Sequence, residues 1–189
     1  MRWLTLYARS RQVPASLAAV LVCTLAAWPL AQGATPGDPR VHTLLLTTAV
    51  AAATTGLSGQ DLALDRTAAI RWAPRRAAHV LLIGALAGAV LLALLTTVDG
   101  PVPTGQVVRN SAGTTGVAAL AATVWGGRSA WTLPLGWCAV ALFVPSTGGA
   151  AEQVATWMLQ PSGTAAATWT ALLLAAVGGP AYALAGPRR

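Results

Sequence analysis

Residues 77–98 read AAHVLLIGALAGAVLLALLTTV, twenty-two positions without a charge. The hydrocarbon core of a bilayer is about 30 Å thick, and about 20 consecutive apolar residues in a helix cross it. This run meets that length, and the rest of the chain agrees with it. Of 189 residues, 55% are hydrophobic and only 9% are charged. A soluble domain carries about 25% charged residues, so this chain lacks the charge to cover a water-exposed surface. The composition therefore predicts an integral membrane protein rather than a soluble domain.

On the N-terminal side of that run stands residues 60–76, QDLALDRTAAIRWAPRR, the longest charged island in the chain. Gly59 can break the preceding helix, Asp61 suits an N-cap, and Asp65 falls in the first turn. Leu62, Ala69 and Trp72 fall near one helical face and Arg66 on another. Pro74 disfavours helix at Ala73 and is expected to separate this interfacial helix from the next span, which Arg75 and Arg76 anchor. Within 77–98, Gly84 and Gly88 form a GxxxG that lets another helix approach closely.

Five further apolar runs flank these two stretches, at about 14–31, 41–57, 107–124, 129–144 and 164–185. The first has Pro14 at its start, where a helix tolerates it best. Its alternative reading is the apolar region of a signal peptide, but Leu30-Ala31-Gln32-Gly33-Ala34 offers no clean small-x-small site. Before it, residues 1–12 place Trp3 and Tyr7 on one face, with Arg2 and Arg9 on another. That pattern suits a short amphipathic surface helix. The second run is rich in Thr, which in membranes bonds back to its own helix or across to a neighbour. The fifth run is the shortest and contains Pro134. Between it and the sixth lies 145–163, long enough either to be a plain loop or to dip partway into the bilayer if protein buries it. Gly178-Gly179-Pro180 can bend the sixth run.

Charge decides the orientation. All twelve cations are Arg. With six spans and the N-terminus inside, Arg2, Arg9, Arg11, Arg66, Arg71, Arg75, Arg76, Arg128, Arg188 and Arg189 lie inside, and only Arg40 and Arg109 outside. The opposite orientation violates the positive-inside rule. The expected fold is an all-α integral membrane protein of the cell's inner (plasma) membrane. It has six transmembrane helices, both termini cytoplasmic, a short N-terminal amphipathic helix, and a cytoplasmic interfacial helix between spans two and three. The net charge of +7 then reports topology, not a nucleic-acid partner.

Catalytic constellations are sparse. Without Lys there is neither a Walker A loop nor a Schiff-base lysine. His42 and His79 fall near the ends of different spans on opposite sides and read as interfacial residues. Cys23 and Cys138 lie inside apolar runs, without metal-ligand spacing. Gly56-Leu57-Ser58-Gly59 spells the GxSG of an intramembrane serine protease, with His79 the only later His. Asp61 and Asp65 form a carboxylate pair at helical spacing that could hold a divalent cation, but a capped helix start explains both acids. Arg109-Asn110 is the one polar pair inside an apolar run. It snorkels to the interface, or contacts an anionic substrate group, or contacts the 145–163 segment. Glu152 lies in that segment and joins the pair as a candidate outer gate. No metal or other cofactor is expected.

In layout, and in residues over about 61–82, the chain resembles the ABC transporter type-2 permease family. Asp65-Arg66-Thr67, followed by a Leu-rich helix and Pro74-Arg75-Arg76, stands where that family carries an acid, Arg and Thr, then Pro with a basic residue before span three. The resemblance implies an export permease working as a pair of six-helix units, the second being the same or another chain. A separate cytoplasmic ATPase would bind a coupling helix comprising Asp61, Leu62, Asp65, Arg66, Thr67, Arg71 and Trp72. Two alternatives stay open: a non-transporting accessory or immunity membrane protein, and a small intramembrane enzyme.

Overall fold

The computed structural model describes residues 13–33, 35, 37–57, 72–98, 104–145 and 148–188. The N-terminal surface helix and the charged island from 60 to 71, including Asp61, Leu62, Asp65, Arg66, Thr67 and Arg71, lie outside the described residues. Those described form seven α-helices and no strand: α1 (Val13–Gly33), α2 (Pro39–Ala53), α3 (Trp72–Val98), α4 (Thr104–Trp125), α5 (Thr132–Phe143), α6 (Ala150–Ala155) and α7 (Ala165–Ala185). The described residues are all-helical in their regular structure, as the apolar runs predict. Two helices, Trp72–Thr97 and Ala165–Ala185, are long and apolar enough to cross a membrane.

Two expectations need correction. Ala73 before Pro74 is helical: α3 starts at Trp72 and passes through Ala73 and Pro74 without a break, while residues 60–71 lie outside the described part. A proline in the first turn sacrifices an N–H that has no intrahelical acceptor there. The fifth run is not a full-length helix either. Residues Gly127–Ser129 form a 3₁₀ turn, and α5 covers only 12 residues. At 1.5 Å per residue that is about 18 Å, well short of a hydrocarbon core. Pro134, in the first turn of α5, again costs no helical hydrogen bond. By contrast α2 continues into the 3₁₀ turn Thr54–Leu57, and Asp38 caps its start by accepting the Arg40 N–H at 2.8 Å.

The bundle is organised on α4 and α7. A Cβ added to Gly178 would fall on the carbonyl oxygen of Gly116, and one added to Gly116 would fall on that of Leu174. The two backbones are thus in direct contact, an approach open only to glycine. Gly113 lies against the Trp157 ring and Ala171, and the Ala122 carbonyl accepts the Arg188 N–H at 3.0 Å. Partner numbers rise together along both helices, so α4 and α7 run parallel. On the other side of α4, Gly84 faces Thr115 and Gly88 faces Ser111. The numbers fall as the others rise, so α3 is antiparallel to α4. The GxxxG read from the sequence is therefore a helix–helix contact, although the closer one uses Gly116 and Gly178.

A second tie joins α2 to the same frame. The Tyr182 hydroxyl, 1% exposed, donates to the Leu57 carbonyl at 2.8 Å. At the other end the Thr43 hydroxyl donates to the Met158 carbonyl at 3.0 Å. One end of the bundle therefore carries Leu57, Tyr182, Arg188 and the Trp72 start of α3. The other carries Thr43, the start of α4 and the 148–164 segment. The main core runs between α2, α3 and α4 through Leu46, Val50, Leu95 and Ala118.

Replacing Gly116 or Gly178 by alanine is expected to cost about 1–3 kcal/mol or more, because the new methyl meets backbone. Gly179→Ala, where a Cβ meets nothing within 4 Å, is expected to be neutral or stabilising by up to about 1 kcal/mol. Thermal unfolding of the detergent-solubilised variants checks this. At about 2–4 °C per kcal/mol, the two classes separate clearly.

Candidate functional site

Parallel helices at the end of a chain pose a connection problem. The chain must return from the end of α4 to the level of its start before α7 can begin. The 12 residues of α5 cover only about 18 Å of a path of about 30 Å. The remainder is made by irregular chain, and it is not a surface loop. Thr156, Trp157 and Met158 are 5%, 0% and 0% exposed. Trp157 and Met158 pack with Cys138, Ala167 and Ala171 in a second core. Trp137 stands edge-on to Trp157, ring centroids 6.5 Å apart, and its indole N–H donates to the Ala155 carbonyl at 2.9 Å.

Buried irregular backbone leaves carbonyls without helical donors, and each needs a partner. Arg109 and Asn110 supply them. Arg109 donates from Nη1 to the Pro161 carbonyl at 2.9 Å, and from Nη2 to those of Trp157 at 3.1 Å and Gln160 at 2.6 Å. Its Nε–H donates to Asn110 Oδ1 at 3.1 Å. That orients the Asn110 amide so that Nδ2 donates to the Met158 carbonyl at 2.6 Å, the same oxygen that Thr43 reaches. The planar guanidinium fork is what lets one side chain hold three carbonyls in fixed positions.

Of the readings open for this pair, the structure therefore places Arg109 and Asn110 in contact with the 145–163 segment. Snorkelling is set aside, because the two residues are only 9% and 4% exposed. Four of the five guanidinium N–H groups are used within the chain, which leaves little for a ligand. Glu152 is in α6, at the same end. Its carboxylate accepts the Gly148 N–H, which closes the first turn of that short helix. Thr156 and Gln160 extend the network: Gln160 Nε2 donates to Thr156 Oγ1 at 2.8 Å, and that hydroxyl donates to the Glu152 carbonyl at 2.8 Å.

At the opposite end, Trp72 begins α3, and the Arg75 guanidinium lies over its ring, 5.6 Å from the centroid. The other coupling-helix residues fall outside the described part of the chain, as do Ser58 and Gly59 of the GxSG. His42 and His79 are at opposite ends and cannot share a site. Both are buried, at 7% and 8% exposure, rather than lying at an exposed interface. No group of three or more His, Cys, Asp or Glu capable of holding a metal occurs among the described residues.

The sequence reading did not single out Trp157, Gln160 and Pro161 as acceptors for Arg109, nor Met158 as the acceptor shared by Asn110 and Thr43. The one available signal was that Arg109-Asn110 interrupts an apolar run, which requires acceptors somewhere nearby. No family model matches the chain, and no curated protein or solved structure matches it either.

Arg109→Leu strands three carbonyls and is expected to cost at least about 2–3 kcal/mol. Arg109→Lys keeps the charge without the fork and recovers only part of that. Hydrogen exchange should rise selectively over residues 156–164. Ser111→Ala, whose hydroxyl only bonds back to the Val108 carbonyl, should stay within about 0.5 kcal/mol of the native protein.

Proposed function

We propose that this chain is the membrane-spanning subunit of an ABC-type exporter, driven by a separate cytoplasmic ATPase that docks on residues 61–72. The observation that carries the reading is the continuity of α3 from Trp72 through Pro74 into the long apolar helix. A partner bound to the segment ending at Trp72 would act directly on α3. Through Gly84 and Gly88, α3 is seated on α4, and α4 is locked to α7. A push on the island is then transmitted to three helices as one body.

In this reading the chain crosses the plasma membrane six times, with both termini cytoplasmic. α5 and the 145–163 segment, buried at Thr156–Met158, together make the fifth crossing. The end bearing Arg75, Arg76, Arg128 and Arg188 is cytoplasmic. The end bearing Arg40, Arg109, Asp38 and Glu152 faces out, in keeping with the positive-inside rule. Asp61, Leu62, Asp65, Arg66, Thr67 and Arg71 form the docking surface with Trp72. Arg109, Asn110 and Glu152 hold the outer closure, and a second permease subunit completes the pathway. The chain itself is not an enzyme in this reading; ATP hydrolysis belongs to the partner.

A second reading, a non-transporting accessory or immunity membrane protein, draws on a different observation. The Arg109 donors are spent on the chain's own carbonyls, as suits a permanently closed outer end.

Purification from native membranes separates the two. The exporter reading predicts a stoichiometric ATPase that copurifies with the native chain. It also predicts that Asp65→Asn with Arg66→Gln loses the ATPase while unfolding within about 0.5 kcal/mol of native. Recovery of the chain alone, or full ATPase retention by the variant, contradicts it.

A further inference from the structure

α3, α4 and α7 meet closely at their glycines but diverge on one side, and a groove of about 640 Å³ opens between them. Pro74, Ala77 and Leu81 of α3 form one wall, Ala112 of α4 the floor, and Ala175 and Leu184 of α7 the other wall. The groove exists because most of its lining residues are Ala or Gly, which leave the space between helices unfilled. From Pro74 to Ala85 on α3 it runs eleven residues, about 17 Å at 1.5 Å per residue. Its walls are almost wholly apolar, and the Ser111 hydroxyl is spent on the Val108 carbonyl at 3.0 Å. The other lining hydroxyl, on Thr115, is buried against Gly84, so the surface offered suits hydrocarbon better than a polar solute.

The end of the groove is chemically different. Pro74 and Ala77 are followed or bracketed by Arg75 and Arg76. The Arg76 guanidinium lies against Gly186, so closely that a Cβ there would meet it at 2.7 Å. Gly186 adopts φ +73°, which lets the chain turn past the guanidinium. Arg188 follows, donating to the Ala122 and Val124 carbonyls at 3.0 and 3.3 Å. Three arginines thus gather at one end, while the two described acids, Asp38 and Glu152, are at the other. Trp72, under Arg75, marks headgroup depth, where tryptophan concentrates.

We propose that this groove binds an anionic phospholipid of the cytoplasmic leaflet, with an acyl chain along the groove and the phosphate at the Arg75–Arg76 end. Basic pockets between spanning helices on the cytoplasmic side are suited to anionic headgroups, and arginine to phosphate. A second copy of the chain is a poorer occupant. A two-fold axis along the membrane normal would bring two arginine clusters together at the same end. The inference rests on the membrane placement proposed above and not on transport.

Native mass spectrometry of the detergent-solubilised protein tests it, with phosphatidylglycerol and phosphatidylcholine as probes. The native chain should retain phosphatidylglycerol in preference to phosphatidylcholine, by roughly fivefold per contributing arginine. Arg75→Gln, which leaves the Arg76–Gly186 contact in place, should cut that preference roughly fivefold. Ala112→Phe fills the exposed groove without disturbing a packed face and should lose both lipids, while thermal unfolding stays near native. Equal retention of the two lipids by the native protein, or unchanged phosphatidylglycerol retention by Ala112→Phe, overturns the proposal. So does a dimer that Ala112→Phe disperses, which would assign the groove to a second copy. Alkaline carbonate extraction run alongside distinguishes the underlying failure: release from membranes sinks the membrane placement itself, whereas retention without lipid preference sinks only the lipid site.

Discussion

The backbone contact between Gly116 and Gly178 is the constraint from which the rest of the structure follows. No other residue type allows α4 and α7 to approach so closely, and along that contact the two run parallel. Parallel neighbours cannot be joined by a short turn. The 39 residues between Trp125 and Ala165 must travel back along the bundle, and α5 is too short to do so alone. A stretch of irregular chain is therefore drawn into the interior, with Trp157 pressed against Gly113. Its carbonyls must then be satisfied, which explains a charged residue inside the start of an apolar run. Arg109 is the consequence of a topology, and its fork is matched to the carbonyls that the topology strands.

That chain of causes divides the molecule into a clamped end and a basic end. At the clamped end, Arg109, Asn110 and Thr43 tie α4 and α2 to the turns before α7. Four charge-assisted or amide hydrogen bonds converge on four carbonyls between Trp157 and Pro161, and the indole of Trp137 secures the helix that precedes them. At the basic end, Tyr182 ties α7 to Leu57, and Arg188 ties the chain after α7 to the last turn of α4. The groove opens toward this basic end, beside the start of α3.

The sequence carried the class of fold because composition and run length suffice for that: α3 and α7 emerge where their apolar runs stand. It carried the existence of Arg109-Asn110 as an anomaly, and even its contact with the 145–163 segment as one of several readings. It marked the fifth run as the shortest but not how short α5 is, since 129–144 is largely apolar and hydropathy does not register where a helix starts. Nor did it carry the behaviour of Pro74. The rule that proline ends helices is a rule about interiors, and a first-turn proline leaves no mark that distinguishes it from a breaker. The glycine crossing was half legible: Gly84 and Gly88 advertise themselves by spacing, while Gly116 and Gly178 sit on different helices and no local pattern links them.

The central claim is that the two ends of this bundle lie on opposite sides of a membrane, with the Arg109 clamp facing out. Single cysteines in a background lacking Cys23 and Cys138 test it directly. Ser162 and Arg128 are exposed at the two ends. A membrane-impermeant maleimide applied to intact cells should label Ser162→Cys at once, and Arg128→Cys only after the membrane is opened. Labelling of both from the same side, or of Arg128→Cys alone from outside, would contradict the account.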